Sequence, residues 1–273
     1  MFYFERREYK YHIGYEKLSA LRKSFLPFMR HDAFCAERSD QQYTVRSIYF
    51  DTHNLQFYNE KKMGIKIRKK LHIRVYDFPA KCHQAFLEIK NKREDTIFKE
   101  RASIPGEHLA YFAHNPHLLL KDNNGSANGG KAIEKFIYFL YRLSLEPLVL
   151  VVYEREALTG LDDPSLRVTF DLNVRSYANP LVEEIFREED LIEIDDKEFI
   201  LEIKTYGKLP LWVRNIVRDY NLRLEAISKY CDGVDAGRRH YKRLSSVQAV
   251  NGFRESARME SGKPKGETAA ISV

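Results

Sequence analysis

The chain has only three cysteines and one tryptophan in 273 residues. Cys35, Cys82 and Cys231 are odd in number and far apart, which excludes a disulfide framework and a zinc site and points to a reducing compartment. No apolar run reaches the roughly 18 residues of a spanning helix, and 148–152 is far too short. The sequence opens on charged, strand-like residues instead of a signal peptide, so a cytoplasmic location is expected. A glycine-rich phosphate loop is also missing, because Asn128-Gly129-Gly130-Lys131 lacks the Walker spacing. No Ser-His-Asp or Cys-His arrangement can be argued. His12, His31, His53, His83 and His240 show no ligand spacing. There are no internal repeats and no heptads.

What remains is 44% hydrophobic and 31% charged, as in a globular domain, with a net charge of +6 that suits an anionic partner. The charge is patterned. In Ile65–Tyr76, alternation places Lys66, Arg68, Lys70, His72 and Arg74 on one face of a strand. Ile65, Ile67, Leu71, Ile73 and Val75 take most of the other. The same period recurs in Arg6/Glu8/Lys10, Glu88/Lys90/Lys92, Lys99/Arg101 and Glu202/Lys204.

Strands are expected at about 4–13, 43–51, 64–77, 84–93, 96–104, 147–158, 165–175 and 198–206, mostly antiparallel by their short connections. Helices are expected at 15–28, ended by Pro27, at 108–120, at 131–144, after an N1 Pro210, and from Ser228 towards Leu244. Trp212 reads as a core anchor. Asp122–Gly130 reads as a flexible loop and 245–273 as a disordered polar tail, leaving 1–244 as one domain.

Eight antiparallel strands can close into a barrel, whose interior is normally apolar. Here the regular face is charged, so it either meets solvent on an open sheet or lines a water-filled tunnel under outer helices. One such strand is most simply a solvated face, but five or six cationic segments with isolated glutamates favour the tunnel. A triphosphate needs charge-assisted donors for each phosphoryl group, with Arg suited to bidentate contact and Lys acting as a point charge. One or two carboxylates must remain for Mg²⁺ or Mn²⁺. A nucleic-acid binder would interleave stacking aromatics with the basic face, whereas the aromatics here fall mostly on the opposite face or in helices. Nucleic acid is therefore not the expected partner.

Several segments occur in the order seen in one family. They are Arg6-Arg7-Glu8-Tyr9-Lys10-Tyr11, Ser47-Ile48-Tyr49-Phe50-Asp51, Ile73-Arg74-Val75-Tyr76 and Phe86-Leu87-Glu88-Ile89-Lys90. Tyr153-Glu154-Arg155-Glu156-Ala157, Arg167-Val168-Thr169-Phe170-Asp171, Leu201-Glu202-Ile203-Lys204 and Ser228-Lys229-Tyr230-Cys231 follow. Over roughly 4–240 the chain resembles the VTC domain, a polyphosphate polymerase domain of the triphosphate tunnel metalloenzyme (CYTH-like) superfamily. The resemblance implies an α+β fold with a closed tunnel of about eight antiparallel strands and flanking helices. It implies a metal-dependent phosphotransferase that passes the terminal phosphoryl group of ATP to a growing polyphosphate chain. Lys10, Arg74, Lys90, Arg155, Arg167 and Lys229 stand at its phosphate-ligand positions, and Glu202 at its metal carboxylate. Glu88 and Glu8 would hold metal or brace a lysine. Ser228 would contact phosphate or cap the last helix.

The remaining substrate contacts extend the cationic face: Arg68, Lys70, His72, Lys92, Lys99, Arg101 and Lys204. His72 stands where the family commonly has an arginine, and Ala226 where a second lysine can occur. Asp171 is read as a brace for an arginine or a strand end, not a metal ligand, and Tyr49, Tyr76 and Tyr153 as packing residues. Hydrolysis of tripolyphosphate or a nucleoside triphosphate, or non-catalytic binding of polyphosphate or inositol polyphosphate, would use the same tunnel. The related eukaryotic domain works in a membrane complex. Any such coupling here would need a separate membrane partner.

Overall fold

The computed structural model describes residues 6–77, 79, 84–94, 96–121 and 127–242. Its strands are β1 (Arg6–Gly14), β2 (Met29–His31), β3 (Tyr43–Asp51), β4 (Ile67–Tyr76), β5 (Gln84–Arg93), β6 (Thr96–Pro105), β7 (Glu146–Gly160), β8 (Arg167–Ala178), β9 (Ile192–Glu193) and β10 (Glu198–Tyr206). Its helices are α1 (Leu18–Phe25), α2 (Ala33–Ala36), α3 (Gln56–Lys62), α4 (Leu109–His114), α5 (Leu118–Lys121), α6 (Ala127–Arg142) and α7 (Leu211–Asp219). An eighth, α8, is described over 229–242.

All ten strands join one antiparallel sheet in the order β1-β10-β8-β7-β3-β4-β5-β6, with β2 on β7 and β9 on β8. The sheet curls on itself. Lys90 of β5 reaches Glu8 of β1 at 3.2 Å, although these strands lie far apart in that order. Among the described residues hydrogen bonding does not close the ring, contrary to the closed tunnel expected, because β1 and β6 do not pair. The segment 221–228 fills part of the seam. Glu225 N–H donates to Lys10 C=O on the free edge of β1 (2.9 Å), and Lys61 of α3 donates to Ala226 C=O (3.0 Å).

Apolar residues on the outer face are covered by helices. Tyr11, Val168, Phe170, Leu201 and Ile203 pack with Leu21 and Phe25 of α1 and Val213 and Ile216 of α7. Leu71, Ile73, Leu87, Ile89 and Ala102 pack with Phe112 of α4 and Ile133, Phe136 and Ile137 of α6. Trp212 stacks on Phe28 at 4.4 Å and meets Phe25 edge-on, as an anchor should. The described cysteines Cys35 and Cys231 are buried and free.

Helix α8 lies on the inner face instead. A Cβ at Gly233 would come within 3.1–3.3 Å of Val149, Val151 and Ser176, so the absence of a side chain permits this close approach. Helix α3 was not foreseen. Its start is bent by Leu55 at φ 57°, and the Asp51 carboxylate accepts from Phe57 and Tyr58 N–H at 2.9 Å each.

The helix expected at 15–28 is a short α-helix between two 3-10 turns, and Pro27 sits in the second. Helix α6 starts at Ala127, so half of the expected loop is helical, and Pro210 is the N-cap of α7 and not its N1 residue. Cys82, His83 and the expected tail 245–273 lie outside the described residues. Among the described residues no helix is long and apolar enough to cross a membrane.

Candidate functional site: a cationic strand channel

Register alignment carries the alternating charges onto one inner face. Lys10 lies opposite Glu202, Lys204 opposite Arg167, and Arg155 opposite Asp171. On the facing wall, Lys70 pairs with Lys90, His72 with Glu88, and Lys90 with Lys99. Such rows of like charge are unstable unless carboxylates lie among them.

Three buried carboxylates organise the cations. Asp171, fully buried, accepts from Arg155 Nε and Nη2 at 2.6 and 2.8 Å and from Lys229 Nζ at 2.5 Å. Burial opposes its charge, but Arg155 and Lys229 prevail and bring it to about 2. The sequence reading of Asp171 as a brace thus holds for two cations at once.

Glu202 lies 3.3 Å from Lys10, 2.9 Å from Lys204 and 3.8 Å from Arg155. Burial disfavours its charge, yet Lys10, Lys204 and Lys229 hold its pKa well below the usual carboxylate range. Glu88 faces His72 Nε2 at 2.7 Å, Lys99 at 2.6 Å, Arg101 at 3.2 Å and Arg74 at 3.8 Å. It too stays ionised against burial, through His72, Arg74 and Lys99.

The other candidates fall around these clusters. Lys90 spans to Glu8, which also lies 3.9 Å from Lys10. Arg74 Nε donates to Ser47 Oγ at 2.9 Å. Lys70 Nζ donates to Ser228 Oγ at 2.6 Å, and that hydroxyl also accepts from Cys231 N–H at 3.4 Å. Ser228 is therefore both a helix cap and a channel residue.

Burial, aided by the charges of Lys10, Lys90 and Lys61 and opposed by Cys231, pushes Lys70 down to about 7. Lys204 is likewise depressed by burial to about 8, against the pull of Glu202. His72 is depressed by burial to about 4 despite Glu88, and is neutral at pH 7.

Not every candidate is central. Arg167 sits at one rim, donating to Asp32 Oδ2 (2.7 Å) and Tyr43 Oη (3.2 Å). Arg68 and its register partner Lys92 lie at the other, where Arg68 donates to Ile65 C=O at 2.6 Å. Lys66 is exposed.

The expectation that aromatics avoid the charged face fails. Tyr153 lies under Arg155 (5.1 Å) and Lys229 (4.8 Å), Tyr230 under Lys70 (5.4 Å), and Phe86 under Arg101 (3.5 Å). Tyr43 and Tyr76 meet edge-on at 5.8 Å. Their strand parity is that of the cations, and that signal was present in the sequence at Tyr76, Phe86 and Tyr153.

Among the described residues no three His, Cys, Asp or Glu side chains are placed to hold a metal ion. Glu8 and Glu202 converge on Lys10, so together they could supply two oxygen donors. That fits a Mg²⁺-type cation, which is commonly held by one or two carboxylates with phosphate oxygens and water. Both Glu88 oxygens are already engaged, Oε1 by Lys99 and Arg101 and Oε2 by His72 and Arg74, a geometry that favours its bracing role.

A curled antiparallel sheet whose inner face is lined by cations and braced by buried carboxylates makes a channel suited to an anion. The sequence matches the VTC domain family over residues 5–237, and the chain belongs to that family. No functionally curated protein matches it. Similar solved structures include a candidate adenylate cyclase from Bacillus halodurans, with TM-score 0.46 and 10% identity over 82% of this chain and 95% of that one. Another is a candidate adenylyl cyclase from Hippeastrum described as having a dominant triphosphatase activity, with TM-score 0.46 and 13% identity over 83% of this chain and 93% of that one.

Proposed function

We propose that this chain is a metal-dependent polyphosphate polymerase, transferring the terminal phosphoryl group of ATP to the end of a polyphosphate chain. One observation carries the reading: the cationic lining continues from Arg167 at one rim to Arg68 and Lys92 at the other. On β4 alone the row from Arg68 to Arg74 spans about 20 Å. That length accommodates a donor triphosphate and an acceptor chain together, as phosphoryl transfer between them requires. Family membership supports the same reading.

The channel cations rest on carboxylates. A polyanion takes over those contacts, with Arg74 and Arg155 offering planar forks and Lys10, Lys90 and Lys229 point charges. The groups are already fixed before the ligand arrives, which is the source of electrostatic stabilisation in phosphoryl transfer. Mn²⁺ or Mg²⁺, held by Glu202 with Glu8, would neutralise developing charge on the transferring group.

The decisive experiment is ³¹P NMR of purified protein with ATP and Mn²⁺. An internal polyphosphate resonance growing with ADP is the expected result. Orthophosphate as the only product, from ATP or from added tripolyphosphate, would replace the polymerase with a hydrolase. Retained polyphosphate binding without turnover would make the domain a binding module.

Two further results are expected. Arg74→Ala and Lys229→Ala should each weaken tripolyphosphate binding by about 1.5–3 kcal/mol, the loss of a charge-assisted bond, in equilibrium titrations. The affinity should also depend on pH through Lys70. With the free group at about 7, a bound polyanion raises its pKa, so binding takes up a proton above that pH. Affinity therefore falls as pH rises from about 7 to 9, a range in which a terminal phosphate with pKa near 6 is already ionised. Calorimetry in buffers of different ionisation enthalpy should show this proton uptake. Lys70→Met should reduce it, and an unchanged slope would remove Lys70 from the account.

A further inference from the structure

Three consecutive residues where α8 begins reach three strands of the channel wall. Ser228 Oγ accepts from Lys70 of β4 at 2.6 Å, Lys229 Nζ lies 2.5 Å from Asp171 of β8, and the Tyr230 hydroxyl donates to Asp51 at the end of β3. Lys70 and Lys229 belong to the cationic lining, so the first two contacts are ones that a bound polyanion displaces. The third is of another kind: a neutral hydroxyl meets a carboxylate that serves none of the lining cations.

Asp51 is buried, and the donors it meets among the described residues are all neutral. Oδ1 accepts from Thr52 and Phe57 N–H at 2.7 and 2.9 Å, and Oδ2 from Tyr58 N–H at 2.9 Å and from Tyr230. Its place is therefore set by the backbone at the start of α3 and owes nothing to a cation that a phosphate could draw away. Tyr230 is buried too, with its ring 5.3 Å from that of Tyr49. Burial, and after it the Asp51 charge, push its hydroxyl above the ordinary tyrosine pKa, so it remains a donor. This contact persists when the lysines exchange their partners.

We propose that Tyr230, held by Asp51, is a positioning residue for polyanion binding. It keeps the first turn of α8 seated, and Lys229 aimed into the channel, while Lys229 leaves Asp171 for phosphate oxygens. The inference rests on the phosphate-binding reading of the channel and adds to it a residue that acts through its neighbour. Lys229 has a long, flexible stem, and the peptide it shares with Tyr230 sets the direction in which that stem leaves the helix. Fixing the ring fixes that peptide, which lowers the cost of ordering the ammonium group on a ligand.

The test is equilibrium titration of the whole chain with tripolyphosphate, without metal. Tyr230→Phe keeps the ring and removes only the hydroxyl, and Asp51 Oδ2 keeps the Tyr58 N–H. Affinity should fall about tenfold, as for a lost hydrogen bond to a charged group. Tyr58→Phe is the contrast. It removes a hydroxyl that joins α3 to Asp235, more than a turn further along α8, while Asp235 keeps Lys62 at 2.7 Å. It loosens the same pair of helices away from the channel, so affinity should stay within about twofold of wild type. In a Lys229→Ala background Tyr230→Phe should likewise cost about twofold or less, because the group it positions is gone. Unchanged affinity in Tyr230→Phe overturns the assignment. Equal weakening in the two phenylalanine variants, or a tenfold loss that persists without Lys229, also overturns it, since either result makes the hydroxyl a general support of the fold. These three results leave the channel reading standing, whereas wild-type protein that does not bind tripolyphosphate removes both.

Discussion

Asp171→Asn is expected to destabilise the fold by about 3–5 kcal/mol, the range for removing one member of a buried ion cluster. Asparagine keeps the shape and one acceptor oxygen, so the loss is one of charge. Arg155 would lose its bidentate partner and Lys229 its only carboxylate within 4 Å among the described residues, leaving Arg155 with Glu202 at 3.8 Å. Both cations are held in a buried setting and would have little water to replace the carboxylate. The effect should be largest in urea unfolding at neutral pH. Asp171 has a folded pKa of about 2 against an ordinary 3.8, so its contribution is full above about pH 4 and is lost as pH falls towards 2. The gap between wild type and variant should therefore narrow in acid. Tripolyphosphate should restore part of the variant's stability, because its oxygens supply the missing anion. A neutral-pH difference below about 1 kcal/mol would mean that the cluster relaxes into solvent.

The channel was legible in the sequence because strand alternation is strict. Once Lys70, His72 and Arg74 were placed on one face, Leu71, Ile73 and Val75 had to form the core, and all three are buried. Alternation holds less well at the strand end, where Ile65 and Ile67 are exposed beyond the reach of the covering helices. Elements that owe their form to tertiary contacts were not legible. The two- and three-residue strands β9 and β2 carry too few residues for a period. Helix α3 depends on a carboxylate that precedes it by several residues. The seam was also invisible, since 221–228 is placed by Lys61 and by the edge of β1 and not by any pattern of its own. Within the site, residue type showed which groups could bind an anion. It did not show that Asp171 serves two cations or that Glu88 serves three and a neutral imidazole. Those facts come from cross-strand register and from the return of α8 onto the inner face.

Glu202→Gln should reduce turnover by about 1,000-fold or more while metal-free tripolyphosphate binding is kept and tightens. Glutamine preserves the fit of a side chain that is 5% exposed on β10 opposite Lys10, so the change is again one of charge. A Mg²⁺-type ion takes only one or two protein carboxylates, and removing one of the pair Glu8 and Glu202 leaves too little charge to retain it. Losing its stabilisation of the transferring group costs several kcal/mol, which is about three orders of magnitude in rate. Binding should respond in the other direction. Lys10, Lys204 and Arg155 would no longer share their charge with a carboxylate, so a polyanion meets less internal competition. Opposite signs for rate and affinity are what distinguish a metal carboxylate from a brace. Glu88→Gln is the contrast: its partners are His72, Lys99, Arg101 and Arg74, so it should alter affinity without moving the Mn²⁺ concentration that gives half-maximal rate. Normal turnover in Glu202→Gln, or a shifted Mn²⁺ requirement in Glu88→Gln alone, would transfer the metal role from the β1–β10 edge to the opposite wall of the channel.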